Sequence, residues 1–399
     1  MRSVFLAAAT LLLSACGGGS GGGERPGPIA PPPTAQHSFA NPTEAKTYQG
    51  IGGAHSYTYD TSADFDNPAT PEIDGGQDNQ LYAGNASTAR NSGISIAYSP
   101  RDGIFELTVD EPLGNADTVL RFQDPAHRTD FGGAKQPQDH TPNFTADLPG
   151  INYLQAGTSS GIYGQDGYAS DVTTFFFQKP GTSTQYVTLA GYLRNRLNIA
   201  TENKPDPANP SQTADYLVYK NNLQRGAFAY GERTVNSAVP KSGSGTYNGS
   251  MIATLVYNPL IETDVNSPTY FQWMHGTAQT RVDFGKNSFE IDLDGTVMAP
   301  QLDNFTSGQA DLPGGSKFHA SGSGRIDLVH TGGFAGAFQE AYFTTPGATG
   351  VRKDVNIAGS SVDGAFFGPN AEEVGGGFRI VGGTPDERID ILGAFTGRK

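Results

Sequence analysis

From about position 47 to the C-terminus, apolar residues recur at every second position in short runs that end at Gly, Pro, Asn or Asp. No window of helical length keeps an i, i+3, i+4, i+7 spacing, so the pattern predicts an all-β chain. Ile94, Ile96 and Tyr98 alternate on one strand, Pro100 to Gly103 supply a turn, and Phe105, Leu107 and Val109 alternate on the return. That is a hairpin. Strands follow over 173–178 and 185–194, joined by the turn Pro180-Gly181-Thr182. Two stretches have no clear period. Residues 121–150, with His127, His140 and several prolines, read as a long loop. Residues 201–214, polar and holding Pro205, Pro207 and Pro210, read as an exposed excursion.

A Pro/Ser/Gly-rich break at 239–245 marks a domain boundary. After it the alternation is more regular. Tyr247, Met251, Ala253, Leu255 and Tyr257 share one face of a strand, and Phe289, Ile291 and Leu293 one face of another. Further runs occupy 318–328, 334–344, 362–367, 374–381 and 389–395. About eight strands over roughly 155 residues suit a small closed barrel of up-and-down topology, and closure removes exposed edges. The predicted fold is a β-rich unit over 47–240 followed by an eight-stranded soluble barrel over 241–399.

Composition sharpens this reading. The 53 Gly and 26 Pro weaken helix interiors and belong in turns and bulges. An apolar fraction of 36% is low, but 17 Tyr and 23 Phe in alternating runs argue for packed cores rather than disorder. Subtracting 40 Asp+Glu from 26 Lys+Arg gives a net charge of −14. That is the wrong sign for nucleic acid, whose phosphates are neutralised by Lys and Arg.

The N-terminus sets the compartment. Arg2 precedes an apolar stretch, residues 4–13, too short to span a bilayer but suited to a signal-peptide core. It ends in Leu13-Ser14-Ala15-Cys16, which resembles a bacterial lipobox: residues 1–15 would be removed and Cys16 acylated. Cys16 is the sole cysteine, so an intramolecular disulfide is excluded. Two or three acyl chains anchor stably where one binds only reversibly. Residues 16–46 follow as lipidated Cys and a Gly/Pro-rich tether, whose 17–33 portion has a root-mean-square reach of roughly 23 Å. By the same resemblance, Gly17, where inner-membrane retention signals often place Asp, favours the outer membrane; the expected location is lipid-anchored there and surface-exposed.

Residues 364–378 read Gly-Ala-Phe-Phe-Gly-Pro-Asn-Ala-Glu-Glu-Val-Gly-Gly-Gly-Phe. This resembles the signature near the C-terminus of the barrel domains of transferrin-binding protein B, with Gly364, Phe367, Gly368, Pro369, Asn370, Glu373, Gly375, Gly376 and Phe378 at its positions. The glycines permit a tight change of direction and close backbone approach, and the phenylalanines supply apolar area around the bend. Glu372 and Glu373 read as a hydrogen-bonded corner and a solvated face. Ser242 to Gly249 look like the opening strand of the same barrel, preceded by a connector over 231–240. By position, 47–240 is the family's handle domain. The family's namesake has two lobes, each a handle plus a barrel, whereas this chain has the length of one. Single-lobe relatives bind haem, haemoglobin complexes or complement regulators, so the resemblance implies display and binding rather than one ligand.

No G-x-S-x-G elbow, phosphate loop, dinucleotide fingerprint or H-E-x-x-H pair occurs. The acidic groups at Asp64 and Asp66 and at Asp292 and Asp294 do not extend to a calcium loop, so no metal site is expected. His127 and His140, with Phe122, Phe131 and Phe144 nearby, read either as haem ligands with apolar cover or as plain loop residues. Tyr270, Trp273 and His275 read either as a partner anchor in an exposed barrel loop or as packing under the barrel end. His319 and His330 fall at strand positions and read as structural or exposed.

The expectation is a non-enzymatic outer-membrane lipoprotein that captures an iron source for a membrane receptor. That source is haem, as ligand rather than cofactor, or an iron-carrying protein. The alternative is an interaction or evasion protein that binds a host or neighbour protein without nutrient transfer.

Overall fold

The computed structural model describes residues 37–64, 71–72, 92–110, 118–124, 141–206, 209–259, 270–299, 312–347, 349–384 and 387–399. The expected signal sequence, Cys16, the expected tether up to residue 36, His127 and His140 lie outside them. A single 3-10 turn, Asn236–Ala238, is the only helical element among the described residues.

A four-stranded sheet has the order β1 (Lys46–Gln49), β4 (Ile94–Ser99), β5 (Ile104–Val109), β6 (Thr118–Gln123). The β4–β5 hairpin pairs Ile94 with Val109 and Tyr98 with Phe105, as its alternation predicts. A six-stranded sheet has the order β3 (Pro71–Glu72), β2 (Ile51–Asp64), β10 (Asn209–Gly231), β9 (Val187–Asp206), β8 (Ala169–Gln178), β7 (Ile151–Ser160). One face of the six-stranded sheet packs on the four-stranded one through Phe175, Phe177, Ala190, Tyr192, Phe228 and Tyr230. Its other face, through Phe176, Leu189, Leu193 and Ala227, meets Ile252, Trp273 and Ala394 of the barrel. Covered on both faces, its central strands need apolar residues at consecutive positions, which is why Phe175-Phe176-Phe177 is an unbroken run.

Of the two stretches predicted as irregular, 141–150 is irregular as expected, and parts of both are strand. Residues 121–123 close β6, and 201–206 with 209–214 are the outer arms of the β9–β10 hairpin. Residues 201–205 and 211–214 of these arms are mostly polar and exposed or half-buried, and Asn203 donates across the pair to Asp215 at 2.7 Å. Pro205 and Pro210 are tolerated because the register shifts between Asn209 and Thr213, the latter opposite Pro205.

The barrel is an antiparallel up-and-down cylinder of β11 (Ser244–Pro259), β12 (Tyr270–Asp283), β13 (Ser288–Val297), β14 (Lys317–Asp327), β15 (Gly333–Thr344), β17 (Asn356–Phe367), β18 (Glu373–Thr384) and β19 (Glu387–Arg398). β14 pairs with β15 and β19 with β11, which closes the sheet. The short β16 (Arg352–Asp354) adds to β15 at one end. Side chains alternating inward fill the interior, including Phe289 against Phe334 at 4.7 Å and Phe318 against Phe343 at 5.2 Å between ring centroids. Interior packing, not a lumen, holds the cylinder.

The six-stranded sheet lies on the outward face of β11, β12, β17, β18 and β19. A buried polar cluster sits in this contact. His55 Nδ1 is 2.8 Å from Thr254 Oγ1, His55 Nε2 is 3.4 Å from Asp390 Oδ1, and Arg379 forks onto Asp390 at 2.6 and 3.1 Å. Burial alone would raise the Asp390 pKa, but hydrogen bonding and charge from His55, then Arg379, outweigh it and bring the value to about 2.

Two predictions follow from this packing. A Cβ on Gly364 would lie 2.1 Å from the Phe334 ring, so Gly364→Ala is expected to destabilise by roughly 1–3 kcal/mol, read as a lower urea midpoint at unchanged slope. Because the folded pKa of Asp390 is depressed, its contribution is present above the ordinary carboxylate range. Roughly 2 kcal/mol should be lost as pH falls from about 4 through about 2. Urea midpoints across that range should lose this component in Asp390→Asn; an identical pH profile in the variant would contradict the assignment.

Candidate binding face and the joint that orients it

The signature residues build the joint between the sheets and the barrel. Glu373, fully buried at the start of β18, accepts backbone N–H groups from Gln185, Tyr186 and Val187 at 2.6, 2.8 and 3.1 Å. Burial pushes its carboxyl up, while the three donors and the Arg398 charge pull the other way. Glu373 is therefore no solvated face. Glu372 is the corner, bonding the backbone and side-chain nitrogens of Asn370 at 2.8 and 2.9 Å. Gly368 needs its left-handed φ of 86°, and a Cβ there would strike the Tyr186 ring and Glu372. The connector after β10 zips onto the same turn: Thr234 donates its backbone N–H to Phe366 O at 2.8 Å and its hydroxyl to Gly368 O at 2.6 Å. Phe367 completes an apolar seam with Ile51, Val187, Ala229 and Ala365. Gly375 lies 2.7 Å, measured from an added Cβ, from Val187, so the sheet sits directly on the strand.

This joint fixes one end of the molecule. The turns 284–287, 328–332 and 368–372 all lie at the joint end, because β12, β14 and β17 finish there. β11, β13, β15 and β18 finish at the opposite end, where β12, β14, β17 and β19 begin. β9 starts at the joint and β10 returns to it, so the β7–β8 turn and the outer ends of β9 and β10 also lie at the far end. These far ends of the barrel strands and the β7–β8 tip of the six-stranded sheet thus share one side of the molecule. At the β7–β8 tip, Tyr163 is 69% exposed and Ile162 is exposed beside it. The Tyr163 ring meets Tyr168 at 5.5 Å and Tyr219 at 6.4 Å, edge to face, so the protruding aromatic has a rigid base. The Gly167 and Ile199 backbones tie this tip to β9, with Gly167 N to Ile199 O at 2.9 Å. Val351, also exposed, lies in the barrel connection at this end. The β7–β8 tip was hidden in the sequence because one exposed Ile-Tyr pair between glycines carries no periodic signal.

Of the sequence candidates on the barrel, Tyr270 begins β12 at the far end, and Trp273 and His275 lie further along the strand. Tyr270, Trp273 and His275 stand on strand β12 rather than in a loop, with Tyr270 opposite Tyr257 in the ladder. Trp273 is 5% exposed and packs edge-on against Phe144 and Phe176 between barrel and sheet. His275 is half-buried at the rim of the same contact, 3.6 Å from Asp147 and next to the Phe144 ring. Burial lowers its pKa, Asp147 opposes that, and Lys317 adds to the lowering. Phe122 and Phe144, expected as cover for the loop histidines, are buried in two different layers of the core. Asp292 pairs with Arg281 and Asp294 with His319, each on the outer surface of the barrel.

A family model described as the C-lobe and N-lobe beta barrels of Tf-binding protein B matches residues 239–399. Among solved structures, a double mutant of transferrin binding protein B from Haemophilus parasuis Hp5 aligns at 14% identity and a TM-score of 0.27, covering 89% of this chain and 76% of that one. Intact Ap-TbpB, with N and C lobes, aligns at 10% identity and a TM-score of 0.27, covering 90% and 79%. The isotype 1 protein from serogroup B Neisseria meningitidis aligns at 13% identity and a TM-score of 0.22, covering 90% and 77%. No curated protein sequence matches the chain. The closed eight-stranded cylinder and the family match over the same residues identify 239–399 as a β-barrel domain of the transferrin-binding protein B family.

Proposed function

We propose that this protein is a lipid-anchored outer-membrane binding protein that captures an iron source for a membrane receptor, using the far end of the molecule as its binding face. An iron-carrying protein fits that face better than a free small molecule. The observation that carries the reading is the β7–β8 tip, with exposed Ile162 and Tyr163, on the same side of the molecule as the far ends of the barrel strands and the exposed Val351. A large, rigid aromatic that protrudes at a tip is the kind of residue that dominates protein interfaces. The family match of the barrel and the lipobox with its tether support display on a membrane. Haem stays within the reading as an alternative form of the same nutrient, with His127 and His140 as its proposed ligands.

The full chain in detergent should be tested for binding to immobilised iron-loaded transferrin and haemoglobin, and titrated with haem by absorption. The expected outcome is saturable binding to one iron carrier, weakened about tenfold or more in Tyr163→Ala, together with poorer growth of a deletion strain when that carrier is the sole iron source. A Soret shift abolished in His127→Ala or His140→Ala would place the ligand in haem instead. Binding with no growth defect would make the protein a sequestering surface protein. No binding to any of these would refute the reading.

A further inference from the structure

We propose a second binding site, in the sheets rather than on the far-end face, for a small neutral aromatic molecule bearing a hydrogen-bonding O–H or N–H, such as a phenol or an indole. The site is a recess of about 320 Å³ between the N-terminal segment 37–42, the four-stranded sheet and the joint end of the six-stranded sheet. That volume is at the small end of the range for small-molecule pockets, roughly 300–1,000 Å³. Its walls are rings: Phe39, Tyr48, Tyr98, Phe105, Phe177 and Tyr230.

The polar groups set the ligand class. Tyr230 is 3% exposed and lines the recess, yet its hydroxyl makes no hydrogen bond with any described residue. The Tyr48 hydroxyl is likewise without a partner among the described residues. Neither hydroxyl oxygen is sealed from solvent, so water completes each until a ligand takes its place. The third phenol, Tyr98, donates to Asp124 Oδ2 at 3.0 Å, which holds a carboxylate at the wall of the recess. These groups suit a ligand that can both donate and accept. Lining charges cancel, Lys46 and Lys179 against Glu44 and Asp124, so the recess selects for neither sign. Lys46 is in addition engaged by Glu232 and stands over the Tyr48 ring at 5.6 Å from its centroid. What remains is an aromatic slot with two open hydroxyls, in which a flat ring gains edge-to-face contacts with the walls.

The test is calorimetric titration of the full chain in detergent with indole and with phenol, repeated on Tyr230→Phe and Ala40→Trp. Tyr230→Phe keeps the ring and breaks no bond within the described residues, so the fold should be unaffected, which the thermal midpoint checks. Ala40→Trp adds bulk to the lining of the recess. The expected result is one saturable site for at least one probe, weakened about 3- to 10-fold in Tyr230→Phe, the worth of one neutral hydrogen bond, and lost in Ala40→Trp. No saturable binding of either probe, or full affinity in either variant, would overturn the proposal. Because Tyr163 is remote from the recess in sequence and fold, failure here leaves the far-end reading untouched, and the converse holds.

Discussion

A buried carboxylate that accepts three backbone N–H groups from a neighbouring sheet cannot be moved without leaving all of them unpaired, and Glu373 is placed in that way. It locks the entry to β9, residues 185–187, onto the first residue of β18 and so sets where the six-stranded sheet begins along the barrel wall. The connector at Thr234 and the seam around Phe367 tighten the same joint, and the His55–Asp390–Arg379 cluster repeats the device further along the contact. Beside the His55 cluster, with Trp273 paired opposite Thr254, the contact is apolar through Trp273, Phe144 and Phe176. Polar groups fix the register, and apolar area supplies the bulk of the attraction.

This division explains what the signature does. Its glycines and phenylalanines make a turn that can pass close under Tyr186, and its second glutamate reaches out of that turn into the sheet. Its consequence for binding is indirect: with one end closed by the joint, chain length is left over at the other, where the β7–β8 tip and the far ends of the barrel strands stand together.

The barrel was legible in the sequence because each of its strands is buried on one face, so the period of two survives in runs such as Phe289, Ile291, Leu293 and Ile389, Ile391, Phe395. The β4–β5 hairpin was legible for the same reason, with a turn to mark its centre. The six-stranded sheet was harder to read. Its strands lose alternation where both faces are covered, at Phe175-Phe176-Phe177, and lose hydrophobicity along the exposed and half-buried outer arms of β9 and β10. Trp273 shows the limit of reading aromatics from sequence, since a cluster that would anchor a partner is chemically the same as one that anchors another part of the chain. The joint was legible as a turn but not as a clamp, because its three partners lie nearly two hundred residues earlier.

The account depends on the sheets and the barrel acting as one body, since only then do the β7–β8 tip and the far ends of the barrel strands keep a fixed arrangement for a partner. Differential scanning calorimetry of the full chain, with Glu373→Ala alongside, tests this most directly. One cooperative transition in the wild type, with calorimetric and van't Hoff enthalpies in agreement, and its separation into two in the variant is the result the account predicts. Two independent transitions in the wild type, unchanged by loss of Glu373, would contradict it.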